Sequence, residues 1–138
     1  MTECRVPVII GNVQFEEPEE FPTFTGLLEM SGCTFIKVNN CTFTGYEGGH
    51  AYAVSAKNGS AAVLEGMQAN SCSTVALAES YSVVAISGSE SDFSNNTYGS
   101  YVWHGGMIIL SGSTPTLLGG SSNLKQGGLI VAPDGTLL

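Results

Sequence analysis

Residues 52–87 read YAVSAKNGSAAVLEGMQANSCSTVALAESYSVVAIS, and this stretch decides the fold because two kinds of strand occur in it twice, in the same order. Tyr52-Ala53-Val54 and Val75-Ala76-Leu77 are copies of the first kind, whereas Val63-Leu64-Glu65 and Ala85-Ile86-Ser87 are copies of the second. Runs rich in Val, Ile and aromatics between Gly, Asn and Ser clusters are typical of strands. After Gly26 no stretch keeps the i, i+3, i+4, i+7 spacing of a helix. The sequence therefore predicts an all-β domain.

The same features recur on both sides of this stretch, every 22 to 30 residues. Further copies of the two kinds of strand are Leu28-Glu29-Met30, Phe35-Ile36-Lys37, Tyr101-Val102-Trp103, Ile109-Leu110-Ser111 and Leu129-Ile130-Val131. The asparagines that follow the second kind are Asn40, Asn70, Asn96 and Asn123. Repeats of this length are typical of solenoids. We predict a short parallel β-helix of about 4 to 5 coils, with a β-sandwich or jelly roll as the alternative because eight or nine short strands also fit those folds.

Parallel strands stack in register about 4.8 Å apart, so equivalent residues form ladders along the axis. One predicted inward ladder consists of Leu28, Tyr52, Val75, Tyr101 and Leu129, and the other of Ile36, Leu64, Ile86 and Leu110. This phase places Trp103 inside. It places four apolar residues of the first strand kind outside, namely Ala53, Ala76, Val102 and Ile130.

The second kind of strand also has an apolar outward side, since neighbouring strand residues point to opposite faces. Its predicted outward ladder consists of Phe35, Val63, Ala85 and Ile109. Large exposed apolar patches mark interaction surfaces, so we expect a homo-oligomer whose interface contains these four residues. We also expect Lys37 and Glu65, one coil apart on this side, to pair.

Residues 1–26 differ in composition from residues 27–138, because Pro7, Pro18 and Pro22 and the acidic run Glu16-Glu17-Pro18-Glu19-Glu20 lie in this segment. Charged blocks are often solvated loops or interaction tails. We predict an N-terminal cap or attachment arm over 1–26 and a parallel β-helix domain over 27–138.

Composition excludes several classes of partner. The net charge is −8, with 12 acidic and 4 basic residues, so a nucleic-acid partner is excluded for want of clustered Lys and Arg. No apolar run approaches the roughly 20 residues of a membrane-spanning helix, and the N-terminus lacks the pattern of a signal peptide. The cysteines, Cys4, Cys33, Cys41 and Cys72, show no CxxC spacing, so we expect free buried thiols, no metal site and no cofactor.

Two phrases carry a resemblance to a known fold family: Ile36-Lys37-Val38-Asn39-Asn40-Cys41-Thr42-Phe43 and Asp92-Phe93-Ser94-Asn95-Asn96. They resemble the corners of pectate-lyase-like right-handed β-helices. With the small size and the Gly and Ser content, the chain is most similar to the β-helical modules of bacteriophage tailspikes, tail fibres and capsid fibres. The resemblance implies a homotrimer in a virion, assembled in the host cytoplasm, with other virion proteins joined through residues 1–26 and contact with bacterial surface polysaccharide.

Candidate site residues are few. Polysaccharide cleavage needs paired carboxylates, and the candidates are Glu65, Glu90 and Asp92; because Glu65 is expected to pair with Lys37, we predict a non-enzymatic virion structural protein and assign no catalytic residue. A polysaccharide depolymerase fragment and a bacterial surface adhesin are the alternatives. Tyr46, Tyr98 and His104 lie at predicted corners and are the candidates for stacking on glycan rings.

Overall fold

A computed structural model of the protein describes residues 1–2, 5–19, 25–88 and 92–138. This part of the chain contains strands and no helix, and it winds into a parallel β-solenoid of about five turns. Neighbouring strands of each sheet come from successive turns and run parallel. The predicted β-solenoid is confirmed, and the sandwich or jelly-roll alternative is wrong because those folds are built from antiparallel sheets.

Each of the first three turns contributes one strand to each of three sheets. Their strands are β1 (Val8–Gly11), β2 (Gln14–Glu16), β3 (Gly26–Ser31), β4 (Ile36–Asn39), β5 (Thr42–Thr44), β6 (Tyr52–Lys57), β7 (Ala61–Glu65), β8 (Gln68–Asn70) and β9 (Thr74–Glu79). The later strands are β10 (Val83–Ser87), β11 (Tyr98–Trp103), β12 (Met107–Ser111), β13 (Leu124–Gln126) and β14 (Leu129–Val131).

We number the sheets in the order in which the chain enters them. Sheet 1 has the order β1-β4-β7-β10-β12-β14, sheet 2 the order β2-β5-β8 and sheet 3 the order β3-β6-β9-β11-β13. The first corner joins sheet 1 to sheet 2, the second corner joins sheet 2 to sheet 3, and the third corner leads to the next turn. Strands β1 and β2, which lie within residues 1–26, pair with β4 and β5 and so extend the stack; the attachment role of this segment stays a prediction.

The inner side of sheet 1 forms the regular part of the core. Val38, Leu64, Ile86 and Leu110 lie opposite one another in successive turns and are buried. Ile36 lies opposite Ala62. The predicted inward ladder is therefore on the correct face, with its first member displaced by two residues. In sheet 2, the rings of Phe15 and Phe43 stack with centroids 4.8 Å apart.

The predicted phase of sheet 3 is correct for Leu28, which is buried on the same side as Met30, but wrong for Val75 and Tyr101. Met30, Ala56, Ala78 and Val102 are opposite one another and buried. Tyr101 therefore lies on the outer side, where its hydroxyl donates to Gln126 Oε1 at 3.3 Å, and Trp103 on the same side is 37% exposed. Alternation is hidden in the sequence because Ser55 and Leu77 of the outer side are buried as well; a strand covered on both sides reads as a continuous apolar run.

Several other residues of the predicted ladders also differ in position or burial from the prediction. Ala53, Ala76 and Ile130, expected outside, are buried, and Tyr52 is half-buried. Leu129 lies in sheet 1 and is 45% exposed. The strand of sheet 3 in that turn is Leu124-Lys125-Gln126. Its polar composition does not match the apolar repeat, so it was not recognised as a strand in the sequence.

Left-handed residues form columns at two corners. The residue after each strand of sheet 1 from β1 to β12 has positive φ, and these residues are Asn12, Asn40, Gly66, Gly88 and Gly112. The third corner has the equivalent column Gly32, Asn58, Ser80, His104 and Gly127. Of the four asparagines that follow the second kind of strand in the sequence, Asn40 has this left-handed conformation, which asparagine tolerates, whereas Asn70 lies within β8 opposite Thr44.

The edge of β14 is covered by the residues that follow it. Val131 and Leu137 form an antiparallel bridge, and Leu138 N donates to Ile130 O at 2.9 Å. Ala132 N donates to Thr136 O at 2.8 Å and closes the intervening turn. Residues 132–138 therefore fold back on the last strand of sheet 1.

Candidate functional site

The outer face of sheet 1 is apolar over most of its length. One line of residues runs across it from β7 to β14, through Val63, Ala85, Ile109 and Val131, and a second runs through Ala61, Val83, Met107 and Leu129. All of them are partly or fully exposed. Three of the four predicted interface residues, Val63, Ala85 and Ile109, thus lie side by side. Phe35 precedes β4 and is exposed, and Lys37 takes the place predicted for it in the line.

Polar residues border this apolar surface on one side. Asn39, Glu65, Ser87 and Ser111 form the neighbouring outward line. Lys37 Nζ lies 3.0 Å from Glu65 Oε2, with both side chains partly exposed, which confirms the predicted pair. An exposed pair of this kind contributes only about 0–1 kcal/mol to stability. Its position at the margin gives the face an apolar centre and a polar border.

A polar cleft lies at the second corner, where three successive turns come together. It has a volume of about 450 Å³ and is lined by Glu47, Ser71, Ser73, Asn95 and Thr97, with two glycines and one cysteine. The lining residues come from the loops that follow β5 and β8 and from the loop that precedes β11. Hydroxyl, amide and carboxylate groups thus meet in one depression of the surface.

A buried carboxylate holds the long loop beside this cleft. Glu17 is 8% exposed, and its two oxygens accept hydrogen bonds from Tyr46 N at 2.9 Å and His50 N at 3.1 Å. A side chain at Gly49 would collide with this carboxylate. One side chain therefore satisfies both backbone donors and ties the loop from Gly45 to Ala51 to the preceding turn.

The cleft cysteine is buried and protonated. Burial raises the pKa of the Cys72 thiol to about 12, against a lowering effect from the backbone hydrogen bond of Gly45, and the negative charge of Glu17 adds a smaller raising effect. A nucleophilic cysteine needs a lowered pKa, so Cys72 belongs to the core. Cys33, Cys41 and Cys72 are free and buried as expected, whereas Cys4 lies outside the described residues.

The predicted glycan residues divide between two corners. Tyr46, which is 46% exposed, directly precedes the cleft residue Glu47, and Tyr98, which is half-buried, directly follows the cleft residue Thr97. His104 is at the third corner, where its ring stacks on Trp103 with centroids 4.2 Å apart. Tyr46 and Tyr98 are therefore sequence neighbours of residues that line this cleft, and His104 lies at another corner.

A second group of aromatic residues was missed by the sequence analysis. Tyr81, from the preceding turn, is the most exposed large hydrophobic residue described, at 82%, and its ring lies against Gly105. Together with Trp103 and His104 it forms an aromatic cluster at the third corner. The incorrect phase of sheet 3 hid Trp103, and the available signal for Tyr81 was its position between two serines after a strand.

The two candidate carboxylates that the structure describes have different partners. Glu65 is paired with Lys37, Asp92 lies opposite Gln68 beside sheet 2, and Glu90 lies outside the described residues. In the described part of the chain, His, Cys, Asp and Glu side chains nowhere gather in threes that could hold a metal ion. The same residues contain no helix of the length and apolarity needed to cross a membrane.

Comparisons of this chain with protein-family models, curated proteins and solved structures give no match.

Proposed function

We propose that this protein is a non-enzymatic structural module that assembles with copies of itself through the outer face of sheet 1. The observation that carries the proposal is the apolar surface that runs across four neighbouring parallel strands, from β7 to β14. Parallel sheets are normally covered on both faces. Here one face packs on the solenoid core and the other carries Val63, Ala85 and Ile109 at the surface.

The composition of this face fits a protein interface. The apolar lines extend over four strands spaced at about 4.8 Å, with two apolar outward residues on each, and together with the polar line they occupy roughly 19 by 14 Å. Exposed apolar residues that are contiguous, rather than scattered singly, mark interaction sites. The polar line beside it, which includes the Lys37–Glu65 pair, matches the apolar centre and polar rim of interfaces.

The proposed assembly is a homotrimer in a bacteriophage virion, as a tail fibre, tailspike or capsid-decoration module. The support for this finer statement is the resemblance of the corner phrases to those of phage β-helices, together with the solenoid architecture. Three solenoids with their sheet 1 faces turned inward bury all copies of the face equivalently, as closed symmetry requires. The outward corners then remain free to contact bacterial surface glycans, and residues 1–26 to join other virion proteins.

Light scattering coupled to size-exclusion chromatography tests the assembly. We expect wild type to elute as a trimer at micromolar concentration. Ile109→Glu places an unpaired charge in the centre of the interface, which costs several kcal/mol, so it should give monomers or aggregates. Leu117→Glu is the matched control, because Leu117 is an exposed apolar residue away from sheet 1.

A monodisperse monomer for wild type overturns the assembly proposal. Equal dissociation by both substitutions would locate the interface elsewhere. The virion assignment is tested separately by the genes that flank this one, since tail or capsid genes are expected beside it. Neighbouring genes for polysaccharide breakdown or surface anchoring would favour the depolymerase or the adhesin instead.

A further inference from the structure

The second-corner cleft has the form of a binding site that exists before its ligand arrives. Its walls come from three successive turns of the solenoid, so they are fixed by the hydrogen bonds of the sheets on either side. Glu17 fixes the loop that carries Glu47. A volume of about 450 Å³ lies in the range of small-molecule sites, about 300–1,000 Å³.

Hydrogen bonds of a buried asparagine also fix the backbone next to the cleft residue Cys72. Cys72 N donates to Asn96 Oδ1 at 3.0 Å, and Asn96 Nδ2 donates to Ala69 O at 3.0 Å. Asn96 is buried. The neighbouring Asn95 has φ of 58°, and its side chain lines the cleft. Ligand binding here would not have to order a mobile surface, which lowers its entropic cost.

The chemistry of the lining selects the class of ligand. Ser71, Ser73 and Thr97 offer hydroxyl groups that both donate and accept, and Asn95 offers an amide with both functions. This set suits a ligand with many hydroxyl groups. The only charged lining side chain is Glu47, and the molecule as a whole carries −8, so an anionic ligand is repelled.

Two aromatic residues stand beside these polar groups in the chain. Tyr46 adjoins Glu47 and Tyr98 adjoins Thr97, on different turns. Tyrosine combines an apolar ring with a polar hydroxyl, and the apolar side of a sugar ring packs on such rings. The backbone N–H of Tyr46 donates to the Glu17 carboxylate, which holds the chain at Tyr46 next to the cleft residue Glu47.

We infer that this cleft binds one or two units of an uncharged saccharide and discriminates against uronic and sialic acids. The inference rests on the proposed function only in so far as that function includes contact with surface glycans. It deepens it by assigning the contact to the second corner and by specifying the charge of the ligand.

The test uses the full chain and two sets of probes on a glycan array. The neutral probes are oligosaccharides of glucose, galactose, mannose and N-acetylglucosamine, and the anionic probes contain glucuronic or sialic acid. We expect binding to neutral probes only. The best neutral oligosaccharide is then titrated calorimetrically, and Tyr46→Ala should weaken its binding about tenfold through lost ring packing.

Control variants separate the cleft from other surfaces. Tyr81→Ala removes another exposed tyrosine, at a different corner, and should leave the affinity unchanged. Glu47→Gln keeps the shape and should raise the response to anionic probes. Circular dichroism verifies that each variant is folded. Saccharide binding that survives Tyr46→Ala but fails in Tyr81→Ala overturns the inference, as does preferential binding of anionic probes or no binding to any probe.

The same samples are measured by light scattering, so the two proposals fail separately. A trimer that binds no neutral saccharide overturns the cleft assignment and leaves the assembly proposal intact. A monomer that binds neutral saccharide through Tyr46 supports the cleft assignment and overturns the assembly proposal.

Discussion

Asn96 shows at the scale of one residue how a polar group stabilises this core. Its amide oxygen accepts from Cys72 N, and its amide nitrogen donates to Ala69 O at 3.0 Å and to Leu118 O at 3.4 Å. Cys72 and Ala69 belong to the turn before Asn96 and Leu118 to the turn after it, so one side chain joins three levels of the stack. A buried amide in this position is stable only because each of its hydrogen-bonding groups has a partner.

We predict that Asn96→Ala lowers the free energy of unfolding by about 3 kcal/mol, since it leaves buried backbone groups without partners at a cost of about 1–3 kcal/mol each. Urea denaturation measures it. Asn123→Ala is the matched control, because Asn123 also joins two backbone segments but is half-exposed, so water replaces its bonds. Equal losses for the two variants would contradict the role given to burial.

At the scale of an element, the turns of the solenoid approach each other so closely at the corners that side-chain size decides which residue types fit there. Gly106, at the third corner, leaves no room for a Cβ atom, which would collide with the carbonyl oxygen of Ala78 in the preceding turn. Gly112, five residues after the start of β12, has φ of 65° and no atom within 4 Å of the Cβ position. Close packing constrains the first glycine and backbone conformation the second.

Alanine substitutions should separate these two constraints. Gly112→Ala costs about 1–2 kcal/mol, the penalty of a left-handed residue with a side chain. Gly106→Ala should cost about 3 kcal/mol or prevent folding, because two turns must move apart. Thermal and urea unfolding measure both variants. A larger loss for Gly112→Ala would mean that backbone strain outweighs packing at these corners.

The three sheets differ in how well their strands could be predicted from the sequence, because they differ in burial and in strand length. Sheet 1 was predictable because apolar inner residues such as Leu64 and Ile86 repeat at a near-constant interval. In sheet 3 the phase was predicted wrongly from β9 onward. Strand β9 is buried on both sides, so no alternation of apolar and polar residues marks its inner face. Sheet 2 was missed as a separate sheet because its strands are only three residues long.

The cleft could be predicted in part. Tyr46 and Tyr98 were selected as corner aromatics, and they do adjoin it. The contribution of Glu17 could not be predicted, because its oxygens bind backbone groups 29 and 33 residues away, and such contacts leave no pattern in the sequence. The hydroxyl groups that line the cleft could not be predicted either, because serine is common at every corner and nothing in the sequence marks these particular serines.

At the scale of the whole molecule, stacked turns are nearly interchangeable because each contacts only its neighbours. Ala61 of one turn is the register partner of Val83 of the next, and Val83 N donates to Ser60 O at 2.8 Å. Residue 83 therefore already lies beside the chain position that follows residue 60. Removing residues 61–82 deletes one complete turn and leaves ends that can be joined.

We predict that deletion of residues 61–82 gives a folded β-solenoid one turn shorter. Its urea m-value should fall by about one sixth, in proportion to the surface that unfolding exposes. Deletion of residues 61–72 is the control, because it removes only part of a turn and should prevent folding. Circular dichroism and urea denaturation distinguish them. An unfolded product from the full-turn deletion would show that the turns are not equivalent.

The return of residues 132–138 onto β14 has a consequence for solubility. An unpaired strand edge invites another chain to add to the sheet, and in a solenoid such addition repeats without limit, as in amyloid growth. The antiparallel bridge between Val131 and Leu137 occupies part of that edge with the molecule's own backbone, in a direction opposite to the parallel stack. Residues 132–138 thus hinder the addition of another chain to this end of sheet 1.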